Sequence, residues 1–223
     1  MARPRTPPAA SATRDRLLAA AREEFALRGF DGTKVDRIAA RARVNKAMLY
    51  YHFPNKTALY RSILLELFSG VAAAVVAVRE EGGAPDAQLR RFIEAVANRG
   101  LSHPQFPPMW LREIADGGRH LSPPIIGQMR TVVGTLGAIL ADGCAAGVFR
   151  PVNPFVAQIS IVAPLLFFMA TAPVRDRFRN LAPTEALVAG RDEVVAHVLA
   201  TTLAAVAVVP ARSSRDSSRR ERP

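Results

Sequence analysis

The 223-residue chain is 49% hydrophobic with a net charge of +11, enough apolar matter for one large domain or a small one joined to a larger one. The excess charge sits at the ends. Residues 1–60 hold 12 Lys/Arg against 5 Asp/Glu and residues 211–223 hold 5 against 2, whereas 61–210 hold 13 against 12. A single cysteine, Cys144, excludes an intrachain disulfide and a cysteine-rich metal site, and fits a reducing, cytoplasmic setting.

Residues 1–12 are rich in Pro, Ala and Arg, lack the apolar run of a secretory signal, and are expected to form a disordered basic arm. A first helix is predicted over 13–28, with Leu17, Leu18, Ala21, Phe25 and Ala26 at helical spacing and Gly29 as its stop. Thr33 is expected to cap a short second helix, with Asp36 three residues on and Val35, Ile38, Ala39 and Ala42 on its apolar face. A turn falls at Arg43–Val44. A third helix starts near Asn45, another cap-type residue, and stops before Pro54. Asn55 opens a long fourth helix that fades at "REEGGAP". Further helices are predicted over about 86–100, 106–116, 122–147, 154–173 and 183–209, and residues 210–223 are expected to be a disordered basic tail. No sustained alternation of period two occurs, so the fold class is all-α. The domains divide as 13–60, a small helical unit, and 61–209, a larger bundle.

Residues 151–174 contain no charge, and 194–209 are also apolar. Pro164 and the polar Gln158, Ser160 and Thr171 argue against a membrane span, and a helix apolar all round suits a bundle or dimer interface equally well. No membrane is expected.

The stretch "VNKAMLYYHFPNK", residues 44–56, is too aromatic for a solvated face and too polar for a core. Two short helices joined by a tight turn and backed by a third explain it, because the second helix of such a pair enters the major groove of DNA. Val44, Leu49 and Phe53 then face the support. Asn45, Lys46, Ala47 and Met48 lie at the exposed start, near base edges. Tyr50, Tyr51 and His52 offer polar tips to phosphates, and Lys56 opens the fourth helix where a phosphate is favoured.

Residues 13–64, with "AAxxxFAxxGFxGT", "VxxIAxxAxV" and "LYYHFPNKxAL", resemble the DNA-binding domain of TetR/AcrR-family transcriptional regulators. The resemblance implies a homodimeric repressor on a pseudo-palindromic double-stranded operator. It also implies a C-terminal domain that takes a small effector and dimerises. Carried over by position, it sets Thr33 and Lys34 at the DNA backbone beside the second helix, and Asn45, Lys46, Ala47 and Met48 near bases. It makes Tyr50, Tyr51, His52 and Lys56 phosphate contacts. Two positions depart from the family's pattern. Arg43 replaces the usual turn glycine, where it either adds a phosphate contact or distorts the turn. Asn45 replaces the usual Ser/Thr.

The larger half is less distinctive. His103, Phe106, Met109, Trp110 and Glu113, with Met129, Phe167 and Phe168, are the candidate lining of a pocket for an apolar or aromatic effector. The same residues read equally as bundle core. Val195, Ala196, Leu199, Ala200 and Leu203 are the candidate dimer contacts on the last helix. The four histidines are scattered without metal-ligand spacing, and no phosphate loop or nucleophile elbow occurs, so no enzyme, metal or cofactor is expected. The alternative function is an architectural DNA binder of weak sequence preference, which would bind by charge alone.

Overall fold

The structure is a computed structural model that describes residues 8–181 and 189–208. Among these residues there are ten helices: α1 (Pro8–Gly32), α2 (Val35–Ala42), α3 (Lys46–His52), α4 (Lys56–Glu81), α5 (Pro85–Ser102), α6 (Phe106–Ala115), α7 (Pro123–Ala145), α8 (Pro154–Ala170), α9 (Ala172–Leu181) and α10 (Arg191–Val206). One isolated antiparallel bridge pairs Phe149 with Ala207.

Two apolar clusters organise the chain. The first joins Leu17, Phe25, Ile38, Leu49, Phe53, Leu59, Ile63 and Leu64 with Met109 and Ile125, so α6 and α7 share a core with α1–α3. The second joins the end of α4 to α5, α7, α8 and α10 through Val75, Phe92, Leu136, Ile161 and Val198. Helix α4 runs unbroken through both clusters, and the expected boundary at residue 60 falls inside it. By length and composition α4 and α7 are apolar enough to cross a membrane. In the fold they pack against each other as the bundle's central pair. Helix α8 ends after 17 residues and α10 after 16.

Several boundaries differ from expectation. Helix α1 starts at Pro8, not Thr13, because proline suits the first helical position and the following alanines propagate a helix. Gly29 (φ 69°, ψ −179°) breaks the helical path as expected. Thr33 does not cap α2: its hydroxyl turns inward to Gly29 O (2.7 Å), with Glu24 O at 3.0 Å. Lys34 occupies the cap position without a side-chain cap bond. The expected 154–173 helix stops at Thr171, and α9 follows where no helix was expected. The start of the expected 183–209 helix, and both termini, lie outside the described residues.

The α6–α7 corner clasps the end of α1. The Arg112 guanidinium donates to the carbonyls of Phe25, Ala26 and Leu27, in the turn just before the break at Gly29. Arg119 pairs with Asp31, and that hydrogen bond holds the Asp31 carboxyl below its usual range. Between them, Glu113 (1% exposed) accepts from His120 N (2.7 Å) and lies 2.9 Å from His120 Nδ1. The His120 ring sits 4.0 Å from that of Phe30, and Arg61 Nε donates to His120 O at 3.1 Å. Burial, reinforced by the charge of Glu113, raises the Tyr60 phenol's pKa.

Candidate nucleic-acid interface and effector cleft

Helix α2 buries Ile38, Ala39 and Ala42 and closes on Arg43, which adopts the left-handed conformation (φ 55°, ψ 46°). That conformation costs a non-glycine residue about 1–2 kcal/mol. The turn nevertheless has its closing bonds: Arg43 N donates to Ala40 O (3.1 Å) and Val44 N to Ala39 O (3.0 Å). The arginine therefore leaves the turn undistorted and its side chain exposed.

Asn45 caps α3, its Oδ1 accepting from Met48 N at 2.7 Å. Leu49 (0% exposed) and Phe53 (3%) fasten the helix to the first core. The opposite side is open. Lys46, Ala47, Tyr50 and Tyr51 are exposed, and Met48 and His52 are half-buried. Lys46 with Tyr50, and Ala47 with Tyr51, follow the i,i+4 spacing that places side chains on one face. Lys34, Arg37 and Arg43 are exposed around this face.

Two expected phosphate contacts point elsewhere. The Thr33 side chain is buried by its bonds to α1. The Lys56 ammonium donates to Phe30 O (2.9 Å) and Thr33 O (3.1 Å) and lies 4.3 Å from the centre of the Phe30 ring. Lys56 thus supplies donors to the carbonyls of the α1–α2 corner. Sequence reasoning missed Arg37 as part of this face. It also missed an ion pair between Lys46 and Asp36, because their separation of ten positions has no helical signature.

The expected effector residues fall in several different surroundings. Phe106 and Trp110 stack on each other and meet Phe68 edge-on (5.4 and 5.0 Å). Met109 is buried, and Met129 packs on the same first core. Glu113 is taken up by His120. Phe167 is 66% exposed, and Phe168 lies under the Arg175 guanidinium. His103 ends α5, with its pKa lowered by partial burial and by the nearby Arg22 and Arg99. None of the eight lines either of two clefts. One cleft, of about 610 Å³, lies between α1, the α5–α6 corner and the α8–α9 corner, with Leu27, Gln105, Pro108, Arg112 and Met169 in its walls. The other, about 460 Å³, is a groove between α5 and α10 lined by Val195, Ala196, Leu199, Ala200 and Leu203. Of these five expected dimer contacts, Ala196 and Ala200 are exposed, Val195 and Leu203 half-buried. Leu199 is the exception: at 6% exposure it belongs to the subunit's own second core.

An exposed apolar run lies on α8. Phe155 (61%), Ile159 (49%) and Phe167 (66%) are exposed with Ala163 at i,i+4 intervals, flanked by Val156, Ser160 and Pro164. Among the described residues no three His, Cys, Asp or Glu side chains converge on a metal-sized site.

A three-helix unit with an open, polar-tipped recognition helix, carried on a larger bundle, defines a helix-turn-helix DNA-binding regulator. Comparison with known proteins specifies it further. The model described as "Bacterial regulatory proteins, tetR family" matches residues 17–63, and "Tetracyclin repressor-like, C-terminal domain" matches 85–198. The chain belongs to the TetR family of transcriptional regulators. It is 30% identical over 189 residues to the HTH-type transcriptional regulator RutR of Escherichia coli, covering 83% of this chain and 84% of RutR. It is 29% identical over 161 residues to the HTH-type transcriptional repressor NicS of Pseudomonas putida, covering 71% and 76%. The crystal structure of the TetR family regulator PfmR from Thermus thermophilus superposes with a TM-score of 0.66 at 29% identity, covering 85% of this chain and 98% of that one.

Proposed function

We propose that the protein is a homodimeric, cytoplasmic repressor that binds a pseudo-palindromic operator and is released by a small apolar or aromatic effector. The observation that carries the DNA-binding part is the division of α3. Leu49 and Phe53 are buried in the first core, while Lys46, Ala47, Tyr50 and Tyr51 face solvent among Lys34, Arg37 and Arg43. Lys46 and Ala47 lie at base edges, and the tyrosine hydroxyls and flanking cations hold phosphates. Lys56 and Thr33 act behind this face by fixing the α1–α2 corner.

The two subunits meet through the apolar face of α8 and the small exposed residues Ala196, Ala200 and Ala204 of α10. Small residues permit close helix approach, and an apolar interface of this kind resembles a core divided between partners. The effector occupies the cleft bounded by α1 and by the α5–α6 and α8–α9 corners. Its walls include Arg112, which also holds the end of α1. A ligand there favours one orientation of the reading head over another, provided its affinity for the two states differs. The name of NicS supports repression as the direction of control.

Lys46→Ala and Tyr50→Phe should each weaken binding to a preferred duplex, about tenfold or more for Lys46→Ala, with an unchanged melting temperature. Fluorescence anisotropy and thermal melting check this. Unchanged binding by both variants removes the assignment of α3 as the reading helix.

A further inference from the structure

Asp36 is the second residue of α2, and its carboxylate lies 2.8 Å from the ammonium of Lys46, the first residue of α3. The two side chains are 70% and 52% exposed. A pair this wet adds little to folding stability. Its placement is the unusual feature. Asp36 is the single acidic residue within α2 and α3, and it neutralises the cation at the leading end of the recognition helix. The exposed Lys34, Arg37 and Arg43 have no carboxylate partner among the described residues. The hydrogen bond from Lys46 to Asp36 raises the lysine's pKa, which keeps the ammonium charged.

A carboxylate on a surface that meets a polyanion opposes charge-driven binding. It repels phosphates and removes the net charge with which Lys46 would hold one. Bases can compensate what phosphates cannot. In the major groove a G·C pair presents two adjacent acceptors, guanine N7 and O6, followed by a donor, cytosine N4–H. An ammonium beside a carboxylate presents the complementary order. An A·T pair interposes a donor between its acceptors and ends in a methyl group, so it does not match.

We infer that Asp36 and Lys46 act as one unit that reads a G·C pair in each half-site and suppresses binding to DNA lacking it. The inference rests on α3 being the recognition helix. Asp36 is thereby a specificity-determining residue, and the free protein already holds it against its partner.

The test begins with full-length protein and duplexes selected from a random pool, compared by anisotropy with scrambled duplexes. Asp36→Asn should strengthen binding to the scrambled duplex and leave the selected one unchanged or weaker, so that their ratio falls about tenfold or more. The salt dependence on scrambled DNA should steepen by about one counterion, as Lys46 becomes free for a phosphate. Selection with the variant should lose one G·C preference per half-site. In a Lys46→Met background, Asp36→Asn should not lower the ratio further. An unchanged ratio overturns the inference. So does an equal loss on both duplexes with a lowered melting temperature, which assigns Asp36 to the folding of α2. If Lys46→Ala weakens binding while Asp36→Asn leaves the ratio unmoved, only this inference fails. If Lys46→Ala is itself silent, the recognition helix is wrongly assigned and the inference falls with it.

Discussion

Replacing Ile159 with arginine should convert the proposed homodimer to monomers. Ile159 is half-exposed in the subunit, at the centre of the α8 run that includes Phe155, Ala163 and Phe167. A two-fold interface uses the same patch on both partners, so one substitution places two guanidinium groups in the contact. Each loses hydration without gaining a carboxylate, and the two repel. The cost is on the order of several kcal/mol, about a hundredfold or more in dissociation constant. The subunit's own fold should survive, because the side chain is half in solvent already. Light scattering at micromolar concentration should report a monomer, with a helical circular dichroism spectrum like that of the parent. Binding to a two-half-site duplex should fall with it, since the second reading head no longer arrives already tethered. A variant still dimeric would move the interface off α8. Leu199→Arg is a poor substitute, because Leu199 is in the subunit core and its loss would unfold the chain.

Glu113→Ala should be the most destabilising single change in the α6–α7 corner. The carboxylate is 1% exposed, accepts from the backbone N–H of His120 and lies 2.9 Å from Nδ1 of its ring. Its removal leaves a buried N–H without that partner and a void beside Tyr60. Leaving a buried donor of this kind unsatisfied, together with the lost packing, costs on the order of 3 kcal/mol or more. For a chain of this size that lowers the melting temperature by about 10 °C. Glu113→Gln, which keeps an acceptor, should lose much less. A melting temperature unmoved by Glu113→Ala would return the residue to the role of an effector contact and contradict the clasp.

Much of the reading head was legible in the sequence because its signals are local. Asn45 and Asn55 cap α3 and α4 as their side chains predict, and the apolar spacing of Ile38, Ala39 and Ala42 marks the buried face of α2. The inward turn of Thr33 and Lys56 was not legible. Both donate to carbonyls around the break at Gly29, a contact that arises only once α1 and α4 are packed. The larger half obeys the same rule. Phe106, Met109 and Trp110 have the residue types of a ligand pocket, but aromatics at helical spacing describe a core equally well, and here they pack on Phe68. Helix α9 was missed because "VRDRFRN" is charged nearly throughout and lacks an apolar stripe. The Asp36–Lys46 pair spans a turn, where spacing carries no information about contact.

The central claim is that α3 reads sequence rather than merely holding charge. We would measure anisotropy of a duplex selected from a random pool against a scrambled one, at two salt concentrations. Sequence reading predicts that the selected duplex wins by about a thousandfold or more at physiological salt and keeps its advantage as both affinities fall. Equal affinities that collapse together as salt rises would contradict it and leave a protein that holds DNA by charge alone.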